Sequence, residues 1–251
     1  ITMSLIPYVD LSLQHQSLKG EILQAIDQIL TQGNFILGEP VDQFEKALAK
    51  YCGTQYAIGV NSGTDALFLA LKVYGIGAGD EVIIPPNSFL ATASAVIATG
   101  ARPVFVDICE DLNINPELIE AKITSKTKAI IPVHLTGRPA KMQPIMELAK
   151  CHGLKVIEDA AQSIGAEYTG QKVGSLGDIG CFSMHPLKTL NACGDAGAIT
   201  TNDEKAYIKL KQLRNIGLKN RNESEVWGFN SRLDTIQAAI LLSKLNIFKQ
   251  E

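Results

Sequence analysis

The chain has 251 residues, 46% hydrophobic and 20% charged, a balance that builds a buried core and excludes a disordered chain. Its formal net charge of −3 argues against nucleic acid as the principal partner, while leaving room for a local basic pocket. Five scattered cysteines, never spaced C-x-x-C, suit a reducing cytoplasm with buried free thiols, and four histidines without an i,i+4 pair argue against a metal site.

Residues 17–32 place Leu18, Ile22, Ala25, Ile26, Ile29 and Leu30 on one helical stripe. Gly33, Gly38 and Pro40 break it, and a second helix is expected over 41–52 with Val41, Phe44, Ala47, Leu48 and Tyr51 on one face. After Gly53 short apolar runs alternate with helices. Strands are expected at 56–60, 80–84, 103–108, 129–135 and 155–157, and helices at 62–74, 89–99 and 142–152. Two more apolar segments, CFSM from Cys181 and GAIT from Gly197, flank Lys188. The alternation predicts an α/β fold with a mostly parallel central sheet and helices on both faces. In such a sheet the ligand site lies outside the carboxyl ends of the strands, which points to 61–64, 85–89, Asp107, His134 and Asp159. No charged and apolar leader pattern opens the chain and no apolar run approaches ~18 residues, so a cytoplasmic location without a membrane span is expected.

Four segments carry groups with useful chemistry. Residues 60–67, VNSGTDAL, run from a strand through a glycine turn into a helix. Free N–H groups and the hydroxyls of Ser62 and Thr64 make that first turn a phosphate cradle, although an ordinary N-cap is the plainer alternative. The glycines of a P-loop or a dinucleotide fingerprint are missing. In 156–166, Asp159 directly follows a buried strand, where a carboxylate needs a cation or donors unless it becomes neutral; capping the turn over 160–164 is an equal alternative. Lys188 lies two residues after Pro186, with Ser183 and His185 upstream and Asn191, Gly194 and Gly197 downstream. A lysine among core-like segments balances its desolvation through an ion pair or covalent chemistry, so Lys188 is either a Schiff-base lysine or a cation beside a carboxylate. In 227–241, Gly228 and Asn230 make a turn and Arg232 is an anion fork or a surface arginine. A phosphate cradle, a carboxylate for a ring nitrogen and a lysine for an aldehyde are together the parts that hold pyridoxal 5′-phosphate (PLP).

At these residues the sequence resembles the DegT/DnrJ/EryC1/StrS sugar aminotransferases, PLP enzymes of the aspartate-aminotransferase (type I) fold. The motifs that carry the resemblance are NSGTDAL, GDEVIIP, NSFLAT, PVFVDI, EDAAQSIGA, FSMHPLK and NSRLD followed by QAAIL, and it runs from Ile6 to about Leu245. The resemblance implies Lys188 as the cofactor lysine and proton shuttle, Asp159 at the pyridine nitrogen and Phe89 on the ring face. It implies Gly63, Thr64 and Ser183 at the phosphate and Gln162 at the ring oxygen. Asn230 would reach the cofactor of a neighbouring subunit in a homodimer, with His185 and Arg232 on the substrate side. The implied reaction takes an amino group from an amino acid, glutamate, to a keto group of a nucleotide-linked sugar, with a lean toward 3-keto deoxyhexoses.

Two departures from the family pattern stand out. Where members carry GDGG or GEGG, this chain has Gly194-Asp195-Ala196-Gly197, which is tolerable only if φ at Ala196 is negative. Members also continue into a small C-terminal domain over the substrate, so a fragment or truncated copy is expected, with a helical segment over 1–34 and a PLP-binding large domain over 35–251. A copy that binds PLP or only dimerises is the alternative function. A PLP-dependent sugar dehydratase is disfavoured, because those relatives have histidine where this chain has Lys188.

Overall fold

A computed structural model of the chain describes residues 6–248. It opens with α1 (Leu11–His15), α2 (Lys19–Gln32) and α3 (Glu39–Cys52), and then β1 (Tyr56–Val60) leads into α4 (Gly63–Val73). β2 (Glu81–Ile84), α5 (Ala91–Ala98), β3 (Arg102–Phe105), β4 (Thr127–Ile130), α6 (Met142–His152) and β5 (Lys155–Asp159) follow. After the hairpin of β6 (Glu167–Tyr168) and β7 (Gln171–Lys172) come β8 (Ile179–Ser183), β9 (Gly197–Thr201) and α7 (Glu204–Leu213). A small hairpin of β10 (Leu218–Asn220) and β11 (Glu223–Ser224) precedes α8 (Thr235–Phe248).

The central sheet has seven strands in the order β1-β9-β8-β5-β4-β2-β3. Its neighbours from β8 to β3 pair in parallel, whereas β9 runs antiparallel to both β1 and β8. Six strands therefore point one way, and the start of β9 meets their carboxyl ends at one edge. The period-two alternation of strands explains the two covered faces. Ile58, Val60, Val82, Ile84, Ala129, Ile157 and Ile199 pack on one face with α4, α5 and α7. Ala57, Phe182 and Ala198 face α3 and α8, and Ile83, Ile130 and Val156 face α6. Leu18 and Ile22 of the N-terminal helices seat against Ile240 of α8.

Several expected boundaries shift for identifiable reasons. The strand expected over 129–135 ends at Ile130, because Pro132 has no N–H for the ladder; its carbonyl still accepts from Asp159 N–H at 2.9 Å. Likewise β3 stops at Phe105, although Val106 still donates to Ile84 O at 3.0 Å. The five cysteines are free, but burial holds for Cys52 and Cys181 only; Cys151 and Cys193 are exposed. Burial pushes the Cys52 thiol up to about 12, which leaves it an inert apolar filler. Ala196 is absent from the positive-φ residues and is buried in the α3–α8 core, so its methyl fits. Among the described residues no helix is long and apolar enough to cross a membrane, and no group of three His, Cys, Asp or Glu could hold a metal ion.

Candidate active site

The parallel strands deliver their C-terminal residues to one cavity of about 350 Å³. It is lined by Ser62, Gly63 and Thr64 after β1, Ser88, Phe89 and Thr92 after β2, Asp159 at the end of β5 with Gln162 beyond it, and Ser183 at the end of β8 with His185 and Lys188 beyond it. Asp195 and Ala196, just before β9, also line it. Of the ten residues that the resemblance assigns to the site, eight thus share one cavity. Asn230 and Arg232 lie outside it. The Arg232 guanidinium donates from Nη1 to Asn215 Oδ1 at 3.0 Å, and Asn230 bridges Asn215 through the backbone.

The turn before α4 is held open by two glycines. A Cβ on Gly63 would fall 2.6 Å from Ser183 Cβ, and one on Gly197 would fall 2.3 Å from the Ser62 carbonyl carbon. Such contacts are too short for any side chain, so β8 and β9 approach the helix start only because these positions are bare. Ser62 Oγ accepts from Asp65 N–H at 3.1 Å and is the N-cap, as its plainer alternative had it. The N–H groups of Gly63 and Thr64 have no acceptor within the helix, and both residues line the cavity at the positive end of its dipole.

Asp159 is 5% exposed. Its Oδ2 accepts from Thr92 Oγ1 at 2.7 Å, and Ser88 Oγ supplies the next hydroxyl in the relay, 2.7 Å from Thr92 Oγ1. Its Oδ1 accepts from Ala161 N–H at 3.2 Å, so the carboxylate caps its turn and faces the cavity at once. Burial raises its pKa above the ordinary aspartate value, opposed by the Thr92 and Ala161 hydrogen bonds and, more weakly, by His134 and Lys188. Thr92 escaped the sequence reading because it lies 67 residues from Asp159. The local signal was Ser88 and Thr92 at i,i+4, two hydroxyls on one side of a turn entering a helix.

Asp159→Asn gives a clear expectation from this geometry. Asparagine keeps both bonds, with Oδ1 accepting from Ala161 and Nδ2 donating to Thr92 Oγ1. A carboxylate whose folded pKa is raised contributes most below its unfolded pKa and loses that contribution as pH rises through the folded value. The variant without ligand should therefore melt higher than the parent, by a margin that grows with pH across that window. Scanning calorimetry at several pH values checks it.

Lys188 is half-buried on the turn after β8, where its N–H donates to His185 O at 2.8 Å. Among the described residues it forms no salt bridge, which leaves its amine available to the cavity. His185 is exposed, and its Nδ1 accepts from Leu187 N–H at 3.2 Å. Gln162 Oε1 accepts from Thr136 N–H at 2.9 Å, so its NH₂ is the end free to donate. Phe89 stands 74% exposed at the cavity rim.

Behind the cavity, Glu158 is fully buried. Its oxygens accept from the N–H groups of Gly174 (2.8 Å), Leu176 (2.9 Å) and Gly177 (2.8 Å) and from His134 Nε2 at 2.9 Å. His134 Nδ1 accepts from Ala140 N–H at 3.1 Å, which assigns the ring proton to Nε2.

A profile of the DegT/DnrJ/EryC1/StrS aminotransferase family matches residues 16–251. The chain belongs to this family. It is 52% identical over 237 residues to the UDP-N-acetyl-3-dehydro-alpha-D-glucosamine 3-aminotransferase of Acidithiobacillus ferrooxidans, covering 94% of this chain. The fold superimposes on S. venezuelae DesV in complex with a ketimine intermediate, with a TM-score of 0.95, 44% identity and coverage of 98% of this chain and 66% of that one. It also matches NtdA from Bacillus subtilis with bound cofactor PMP, with a TM-score of 0.93, 38% identity and coverage of 100% and 58%. The chain spans about 64% of the length of the first curated relatives it matches. The DegT/DnrJ/EryC1/StrS aminotransferases use PLP, and the residues here fit it. The bare Gly63 cradle suits a phosphate, the dry Asp159 carboxylate suits a protonated ring nitrogen, and the Lys188 amine suits an aldehyde.

Proposed function

We propose that the chain is the cofactor-binding part of a PLP-dependent aminotransferase. It passes the amino group of an amino acid, glutamate, to the 3-keto carbon of a nucleotide-linked deoxyhexose, and works as a cytoplasmic homodimer. The observation that carries this reading is the meeting of Lys188, Asp159 and the start of α4 in one cavity. When bound, PLP supplies an aldehyde that reacts with amines and a ring that withdraws electrons from the carbon bearing the amine.

The chain's own groups have separable tasks. Lys188 brings a primary amine that attacks a carbonyl carbon when unprotonated and carries a proton between atoms within reach of Nζ. Asp159 holds a proton on a ring nitrogen, and the charge there compensates its own desolvation. The N–H groups of Gly63 and Thr64, with the hydroxyls of Thr64 and Ser183, receive a phosphate. Phe89 shields a ring face from water, and the free NH₂ of Gln162 donates to the ring oxygen. His185 stands on the substrate side of the rim.

The 3-keto assignment is supported by the name of the A. ferrooxidans relative, which specifies a 3-dehydro sugar. The apolar side chains of Phe89, Leu90 and Leu187, 74%, 72% and 63% exposed, support self-association beside the cavity. In this reading Asn230, which lies outside its own chain's cavity, reaches the cofactor of the partner, and Arg232 belongs to the substrate side. Within this assembly, 1–34 is read as a helical segment attached to a cofactor-binding domain over 35–251, of which 1–5 and 249–251 lie outside the described residues. The test incubates the protein with PLP, glutamate and a UDP- or dTDP-3-keto sugar, and follows the amino sugar by mass spectrometry. Formation of 2-oxoglutarate and the 3-amino sugar is expected. PLP binding without either product contradicts the transferase reading and favours a binding protein.

A further inference from the structure

We infer that Lys244 is a positioning residue for Lys188 and acts through Asn191. This rests on Lys188 as the cofactor lysine. Lys244 lies on α8 and is 7% exposed, yet among the described residues its ammonium has no carboxylate partner. Its three protons go to neutral acceptors instead: His15 Nε2 at 2.8 Å, Asn191 O at 2.8 Å, and Asn191 Oδ1. His15 Nδ1 bonds Leu11 O at 2.6 Å, so that nitrogen carries the proton and Nε2 is left as an acceptor.

The ammonium fixes which way the Asn191 amide faces. With Oδ1 held by Lys244, Nδ2 donates to Lys188 O at 2.8 Å and to Gln14 Oε1 at 3.0 Å. The flipped amide would set NH₂ against NH₃⁺ and two oxygens against each other. A cation on Oδ1 also draws electrons from the amide and strengthens its N–H groups as donors. Lys188 needs this second anchor. It lies in neither a helix nor a strand, and the bond from its own N–H to His185 O is its other main-chain tie. Lys244 is 56 positions further along the chain and bonds no atom of Lys188. Gln14 and His15 bring the α1 helix into the same network, so the N-terminal helix and α8 jointly clamp the turn that carries the amine.

Two variants test this on the 251-residue chain, each with a readout before and after PLP is added. Lys244→Met removes the ammonium but keeps an apolar stem. Asn191→Asp gives Lys244 a counter-ion, preserving that link, while it replaces the donor to Lys188 O by a repelling oxygen. Without PLP, the rate of trace acetylation of Lys188 is measured against pH by mass spectrometry, with exposed Lys50 as internal reference. With PLP, the rate of capture and the pH midpoint of the resulting absorbance are measured. Each variant should capture PLP about tenfold more slowly, the value of one lost hydrogen bond of roughly 1.4 kcal/mol. Each should also shift the Lys188 acetylation profile and the absorbance midpoint, with Lys50 unchanged. Parent-like Lys188 profiles in either folded variant overturn the inference, as does an effect of Lys244→Met that Asn191→Asp does not share. Should Lys244→Met not fold, Lys244→Leu takes its place, because Asn191→Asp keeps the Lys244 link; should Asn191→Asp not fold, Lys244→Met decides. If the parent chain fails to capture PLP at Lys188, the functional reading falls, whereas the acetylation profile still reports on the clamp.

Discussion

Lys188→Ala is expected to abolish the absorbance of lysine-bound PLP and to lower amino transfer from glutamate by at least about 10³-fold, the scale of a lost nucleophile and proton carrier. The fold should survive, because the side chain lies half-buried on a turn at the sheet edge and contributes to none of the three main core clusters. PLP should still associate reversibly, since Gly63, Thr64 and Ser183 are untouched. Adding a small primary amine should restore part of the lost rate. Turnover within tenfold of the parent would remove Lys188 from the chemistry. The measurement is 2-oxoglutarate release, paired with circular dichroism to show an intact fold.

Glu158→Ala is expected to have the largest effect on stability. It leaves the N–H groups of Gly174, Leu176 and Gly177 and the His134 Nε2–H without an acceptor, the first and last of them in a dry interior and the other two partly buried. At about 1–3 kcal/mol for each unsatisfied buried group, and with partial relaxation, a loss of about 3–5 kcal/mol follows. That is a large share of the ~5–15 kcal/mol of a typical domain. Glu158→Gln should be only a partial remedy. Its Oε1 can keep Leu176 and Gly177, but its NH₂ then meets the donors of Gly174 and His134. His134 cannot switch tautomer to help, because Ala140 N–H needs Nδ1 as acceptor. Urea unfolding monitored by fluorescence gives both values. A cost under about 1 kcal/mol for Glu158→Ala would mean that the network is dispensable.

The residues that periodicity and punctuation can describe were legible. β1 and α6 start and stop where the apolar pattern and the following Asn61 and Gly153 place them. Ser62 stands just after β1, and Asp159 and Ser183 are the last residues of β5 and β8; strand ends converge in a parallel sheet, so their neighbourhood followed from topology. The reversed direction of β9 was not legible. A five-residue strand buried on both faces reads alike in either sense, and its pairing with both β1 and β8 is a tertiary fact. The small hairpin of β6 and β7 escaped because two-residue strands carry no period, although Thr169 and Gly170 turn it with φ of 50° and 82°. Polar partners distant in sequence were hidden for a related reason. Thr92 with Asp159 and Lys244 with Asn191 are 67 and 53 residues apart, and local pattern holds no record of which distant donor reaches which acceptor. Lys244 in particular reads as an ordinary helix lysine until its three acceptors are seen.

The assignment of Lys188 as the cofactor lysine stands or falls most directly on where PLP attaches. The protein is incubated with PLP, reduced with borohydride to fix any lysine bond, digested and mapped by mass spectrometry. A single pyridoxyl modification is expected on the peptide that contains Lys188, lost in Lys188→Ala. Modification of another lysine, such as buried Lys244, or no modification at saturating PLP, would contradict it.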